Sequence, residues 1–171
     1  GCSLDVTSTV GRGTSFTVGV PRSDNRTMLA NETGKTHPTA APKGALVLVI
    51  DDEGAVADAT AMLLGTAGLD VLVANGAQHA LDRIVAKGRG PDLVICDYHL
   101  GGRENGVDAI RLIREATRPA LPAILVSGDT SAAIAKTVKG VDPCRVLNKP
   151  VDADELLDLS AQLLSSDHTS A

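Results

Sequence analysis

From Gly44 onward, short apolar runs alternate with stretches of helical spacing five times over. The runs are Leu46-Val47-Leu48-Val49-Ile50, Leu69 to Ala74, Leu93-Val94-Ile95-Cys96, Ala123-Ile124-Leu125-Val126 and a short one ending at Lys149-Pro150. Runs of this length, rich in β-branched residues, predict buried parallel strands. The second is poorer in apolar content, which places it nearer a sheet edge. Val56, Ala59, Leu63 and Ala67 predict the face of a first helix ended by Gly68. Ala80, Leu81, Ile84 and Val85 predict a second over Ala77 to Lys87, stopped by Gly88 and the Gly90-Pro91 breaker. Val107, Ile110 and Ile113 mark a third, after the loop Gly101 to Gly106. Ser131 to Lys139 reads as an Ala-rich fourth. Leu156, Leu159 and Leu163 stripe the last, which Asp152 is placed to cap. Five successive βα units predict one α/β, doubly wound parallel sheet with helices on both faces.

The amino-terminal part follows a different period. Leu4, Val6 and Ser8 alternate on one side, then Phe16, Val18 and Val20 after a turn at Val10-Gly11-Arg12-Gly13, which predicts a β-hairpin closed by Pro21. The next stretch is polar, contains Pro38 and Pro42, and has almost no large apolar side chain, so it reads as a flexible linker. The expected organisation is a hairpin over residues 1–22, a linker over 23–43, an α/β domain over 44–166 and a tail over 167–171. The chain begins at Gly1, in mid-pattern, and is expected to be the carboxyl-terminal part of something longer, with no output domain after its last helix.

Composition narrows the function classes. The 171 residues contain two aromatic side chains, Phe16 and Tyr98, so the core must be built from Val, Leu, Ile and Ala. Residues 1–43 carry five basic and three acidic groups, and the remainder eleven and eighteen. So acidic a domain is a poor partner for nucleic acid, which needs a basic face. No run approaches the roughly 18 apolar residues of a membrane span, and no signal peptide is visible, so a cytoplasmic location is expected. Cys2, Cys96 and Cys144 are odd in number and lack CxxC spacing, which argues against a disulfide framework or a zinc site. Cys96 reads as a small core residue.

The candidate chemistry stands at the ends of the runs. Asp51-Asp52 follows the first, Asp97 the third, Ser127 the fourth and Lys149 the fifth. Ligands of open α/β sheets sit beyond the carboxyl ends of the strands, where the strand order reverses. In the flavodoxin-like order 2-1-3-4-5, strands one and three are neighbours at that point, so three carboxylates crowd together. Such crowding is costly unless a cation or protons intervene, and Mg²⁺ suits a few carboxylates, waters and phosphate oxygens. An Asp beside it can attack a phosphoryl group and form an acyl phosphate. Lys149 would neutralise transferred charge and the Ser127 hydroxyl donate to a phosphoryl oxygen. Taken singly, each residue is ordinary: a turn acid, a turn serine, a surface lysine.

Together, residues 44–166 resemble the receiver domain of two-component signalling proteins. The resemblance implies Asp97 as phosphoacceptor, Ser127 as switch hydroxyl and a cis Lys149-Pro150 bond. It also implies Mg²⁺ held by Asp52 and Asp97 directly, by Asp51 through water, and by the backbone carbonyl of His99. Gly1 to Ser8, Gly11-Arg12-Gly13-Thr14-Ser15-Phe16 and Val20-Pro21 resemble the last hairpin of a histidine-kinase ATP-binding domain. That order implies a hybrid histidine kinase, an ATP-dependent phosphotransferase expected to be a homodimer. Its ATP-binding motifs and phosphorylatable histidine are not in this chain, and His37, His79 and His168 do not resemble the latter. The implied donor is a phosphohistidine, on the parent kinase or on a histidine phosphotransfer protein.

One position departs from the family pattern. Many receivers have Tyr or Phe three residues before the lysine; here it is Val146, so a subtler rearrangement of the fourth helix and fifth strand is expected. Two other readings share the architecture. An aspartyl-nucleophile phosphatase usually carries a second Asp two residues after the nucleophile, where this chain has His99. A flavodoxin-like nucleotide binder needs a phosphate loop after the first strand, where Asp51-Asp52-Glu53 would repel phosphate without a metal. His99 reads as a loop side chain tuning water access, and Tyr98 as packing.

Overall fold

The computed structural model describes residues 3–9, 11, 13–19, 42, 44–101, 105–128, 134, 138 and 141–166. The chain divides into two units, residues 1–36 and 37–171. In the first, β1 (Ser3–Thr9) pairs antiparallel with β2 (Gly13–Gly19), with Leu4 opposite Val18 and Val6 opposite Phe16. Gly11 and Gly13 take positive φ, which lets the chain reverse within three residues. The proposed linker lies outside the described residues apart from Pro42.

The second unit contains β3 (Leu46–Ile50), α1 (Gly54–Thr66), β4 (Asp70–Ala74), α2 (Ala77–Lys87), β5 (Leu93–Asp97), α3 (Gly106–Ala116), β6 (Ala123–Ser127), β7 (Cys144–Asn148) and α4 (Ala153–Ser166). The five strands are parallel, in the order β4-β3-β5-β6-β7, which is the expected 2-1-3-4-5. The apolar-poor strand is indeed at an edge. Every residue of β3, β5 and β6 is buried, so these runs need no alternation: both sheet faces are covered. Leu46, Leu48 and Ile50 face one core with α2 and α3, while Val47 and Val49 face another with α1 and α4. Cys96 is fully buried, as expected.

Three helical faces differ from the pattern reading. On α1 the buried residues are Ala57 and Leu64, not Val56, Ala59, Leu63 and Ala67. The helix is apolar nearly all round, so its sequence lacks the contrast that would set the phase. On α2 Val85 is 80% exposed, and Ala77, Ala80 and Ile84 make the contact. On α4 the buried line is Leu156, Ser160, Ala161 and Leu164, with Leu159 and Leu163 only half-buried. Ser160 can occupy that line because its hydroxyl donates to the Leu156 carbonyl at 2.7 Å. Asp152 caps α4 as expected, accepting from the Glu155 amide at 3.0 Å. The helix expected over Ser131–Lys139 lies largely outside the described residues; within it Ile134 and Val138 are helical and buried.

Candidate functional site

The strand ends deliver the polar residues to one rim. Asp51 directly follows β3, and its amide donates to the Ala74 carbonyl at 3.0 Å, which fixes the exit of the chain. Asp97 ends β5, and Ser127, fully buried, ends β6. The Lys149 amide donates to the Ser127 carbonyl at 2.8 Å, so the tip of β7 is tied to that of β6. The Lys149–Pro150 peptide is cis, and so is Asp142–Pro143, which the sequence did not announce.

Carboxylate oxygens of Asp51, Asp52 and Asp97 all lie within 4.8 Å of one another. Asp51 and Asp97 are buried and Asp52 is exposed. Lys149 Nζ stands 3.1 Å from Asp97 Oδ1, yet that buried oxygen accepts no hydrogen bond among the described residues. The contact is therefore an attraction of charges, not an aligned hydrogen bond. Asp51 Oδ1 accepts from the Glu53 amide at 2.8 Å. Burial pushes the Asp51 carboxyl above its usual range, and the charges of Asp97 and Asp52 add to this. The Glu53 amide and the Lys149 ammonium act the other way without cancelling it. A divalent cation would relieve this crowding. Three hard oxygen donors, one of them an orphan, fit Mg²⁺.

Beyond Asp97 the chain is tied back on itself at two points. His99 pairs with Asn105 as an isolated antiparallel bridge, and the Gly106 amide donates to the Tyr98 carbonyl at 2.9 Å. Asn105 caps α3 by accepting from the Asp108 amide at 3.0 Å. The His99 side chain is exposed, and Tyr98 packs half-buried on the core, as does Val146. Beneath the acids lies a cavity of about 310 Å³ between α1, α4 and the sheet, with Asp51, Asp97 and Lys149 at its polar end.

Sequence reading missed two glycines at this rim. A Cβ on Gly106 would collide with the Asp97 carbonyl and lie 2.8 Å from Leu125 Cδ1, so α3 can approach β5 only because the side chain is missing. A Cβ on Gly101 would stand 2.9 Å from Asp52 Oδ2. Both lie in a glycine-rich loop, where turn formation is the default explanation and a close approach leaves no separate signal.

A family model described as response regulator receiver domain matches residues 47–161. The chain is 35% identical over 124 residues to the DNA-binding transcriptional regulator NtrC of Rhizobium meliloti, a match covering 71% of this chain and 24% of that protein. It is 32% identical over 123 residues to the sensory/regulatory protein RpfC of Xanthomonas campestris, covering 70% of this chain and 16% of that one. The chain thus corresponds to a quarter or less of either of these relatives. Among solved structures, the receiver domain of NtrX from Brucella abortus superposes with a TM-score of 0.62 at 29% identity, over 70% of this chain and 98% of that domain. The chemotaxis protein CheY4 of Vibrio cholerae, at 23% identity and a TM-score of 0.63 over 70% of this chain and 98% of its own, shares the fold. With the five strands in the expected order and the acids gathered at their carboxyl ends, the chain belongs to the response regulator receiver domain family of two-component signalling.

Proposed function

We propose that Asp97 accepts a phosphoryl group from a phosphohistidine, with Mg²⁺ bound by Asp52, Asp97 and the His99 carbonyl and, through water, by Asp51. The observation that carries this reading is Asp97: its Oδ1 is buried, accepts no hydrogen bond among the described residues and lies 3.1 Å from an ammonium, and its carboxylate belongs to a triad of acids. An oxygen of the Asp97 carboxylate attacks phosphorus. The P–N bond to the donor imidazole breaks, and the ring nitrogen keeps the electron pair and takes a proton from solvent. Asp97 is left as an acyl phosphate. Bound Mg²⁺ supplies charge neutralisation for the phosphoryl oxygens. Lys149 follows the transferred charge, since it already faces Asp97. Ser127, at the end of the neighbouring strand, offers its hydroxyl to a phosphoryl oxygen and passes the change to β6 and β7.

Incubation with acetyl phosphate or a phosphohistidine donor and Mg²⁺ tests the assignment. Wild type gains one phosphoryl group by intact mass, and Asp97→Asn gains none. Equal labelling of the two would remove Asp97 from its role.

The order of hairpin, linker and receiver supports a hybrid histidine kinase as the parent, with residues 1–22 the end of its ATP-binding domain and 23–43 the connection. The donor is then the parent's own histidine or a histidine phosphotransfer protein. Among the described residues no helix is long and apolar enough to cross a membrane.

A further inference from the structure

The loop between β5 and α3 is fastened at its base, and its residue Gly101 bears on the acidic cluster. The base is the His99–Asn105 bridge and the Gly106 amide bonded to the Tyr98 carbonyl. A Cβ built on Gly101 would lie 2.9 Å from Asp52 Oδ2, 3.8 Å from its Cγ and 4.0 Å from its Cβ. All three nearest atoms belong to one side chain, and it is the exposed member of the carboxylate triad. Backbone conformation does not require glycine here, since Gly101 is not among the described glycines with positive φ. The requirement comes from the contact.

Two other glycines at the same rim mark the limits of what such a contact can mean. At Gly106 the obstacle is backbone, the Asp97 carbonyl, which cannot step aside without moving a core strand. At Gly128, just after Ser127, an added Cβ meets nothing within 4 Å. Gly101 lies between these cases. The obstacle is the far end of an exposed side chain, which yields by rotating about its own torsions. A side chain at position 101 therefore moves a carboxylate and leaves the fold alone.

We propose that Gly101 is a positioning residue for the cation site: by having no side chain, it lets the Asp52 carboxylate remain in the triad and so sets the affinity for Mg²⁺. This rests on the reading of the triad as a Mg²⁺ site. Mg²⁺ demands near-ideal octahedral geometry, so an oxygen turned out of place is a ligand lost. Changes just outside a metal's ligand shell typically weaken binding by about 10–100-fold.

The test uses the full chain and two readouts independent of phosphorylation. One is calorimetric titration with Mg²⁺. The other is fluorescence of Tyr98, the single tyrosine in a chain without tryptophan, which adjoins Asp97. Melting in EDTA monitors the fold. Gly101→Ala should melt with wild type in EDTA and bind Mg²⁺ at least about tenfold more weakly, while Gly128→Ala matches wild type in both. In an Asp52→Asn background, adding Gly101→Ala should change Mg²⁺ binding no further, because the two act through one carboxylate. Wild-type affinity in Gly101→Ala overturns the proposal, as does an undiminished effect in the Asp52→Asn background. So does a melting temperature as low as that of Gly106→Ala, which would place the clash on the backbone. Failure of wild type itself to bind Mg²⁺ would instead sink the metal reading on which the proposal stands.

Discussion

Asp97 and Cys144 show how differently burial treats two residues at strand ends. Asp97 is buried, and its Oδ1 lies 3.1 Å from the Lys149 ammonium while accepting no hydrogen bond among the described residues. The Cys144 thiol is pushed up to about 11 by burial, which the nearby Arg114 guanidinium only partly offsets. At pH 8 it is therefore a thiol, and the thiolate is the nucleophile. Iodoacetamide should label Cys144 only as fast as the domain opens, as read by peptide mass; labelling at the rate of a free cysteine would refute this. The linkage sign follows. As pH rises from the ordinary thiol range toward 11, the unfolded chain loses this proton first, so the stability difference between wild type and Cys144→Ala shrinks in wild type's disfavour. The clustered acids were legible in the sequence because a carboxylate straight after an apolar run has one place to go. Gly101 and Gly106 were not, because what they permit is defined by atoms distant in sequence.

Among the elements, α3 is held by a feature that no periodicity reveals. Arg114 is buried near its carboxyl end, without a carboxylate partner among the described residues. Its guanidinium donates to the carbonyls of Leu121 at 2.9 Å, Val141 at 2.8 Å, Asp142 at 3.3 Å and Pro143 at 2.8 Å. One side chain thus ties α3 to the entries of β6 and β7. Burial lowers its pKa, the neighbouring Asp142 and Cys144 opposing. Arg114→Met takes the donor from the Leu121 and Val141 carbonyls, whose bonds to it are buried, each loss costing about 1–3 kcal/mol. Urea unfolding should show a loss of about 3 kcal/mol or more, and a loss below about 1 kcal/mol would show that water replaces the guanidinium. In the sequence Arg114 looks like any polar residue of an amphipathic helix. The phases of α1 and α4 escaped for a related reason: Ala-rich or Leu-rich helices offer several equivalent faces, and only the shape of the sheet beneath selects one.

In the molecule as a whole, the two hydrophobic clusters draw their buried members from residues 45–164. None of those members comes from the hairpin, and a two-stranded sheet on its own is marginal. Removal of residues 1–43 should therefore leave the melting temperature of the receiver and its Asp97 labelling unchanged by calorimetry and mass; a marked drop would mean that the hairpin supports the receiver. The strand count, their parallel pairing, the edge position of β4 and the chain order of the acids were settled by sequence alone, since hydrophobic period and breaker residues act locally. Tertiary structure alone decided that Asp97 Oδ1 would face the Lys149 ammonium, that a loop glycine would rest on Asp52, and which face each apolar helix buries. Those depend on distances between segments that meet only once the sheet has formed, and no local pattern encodes them.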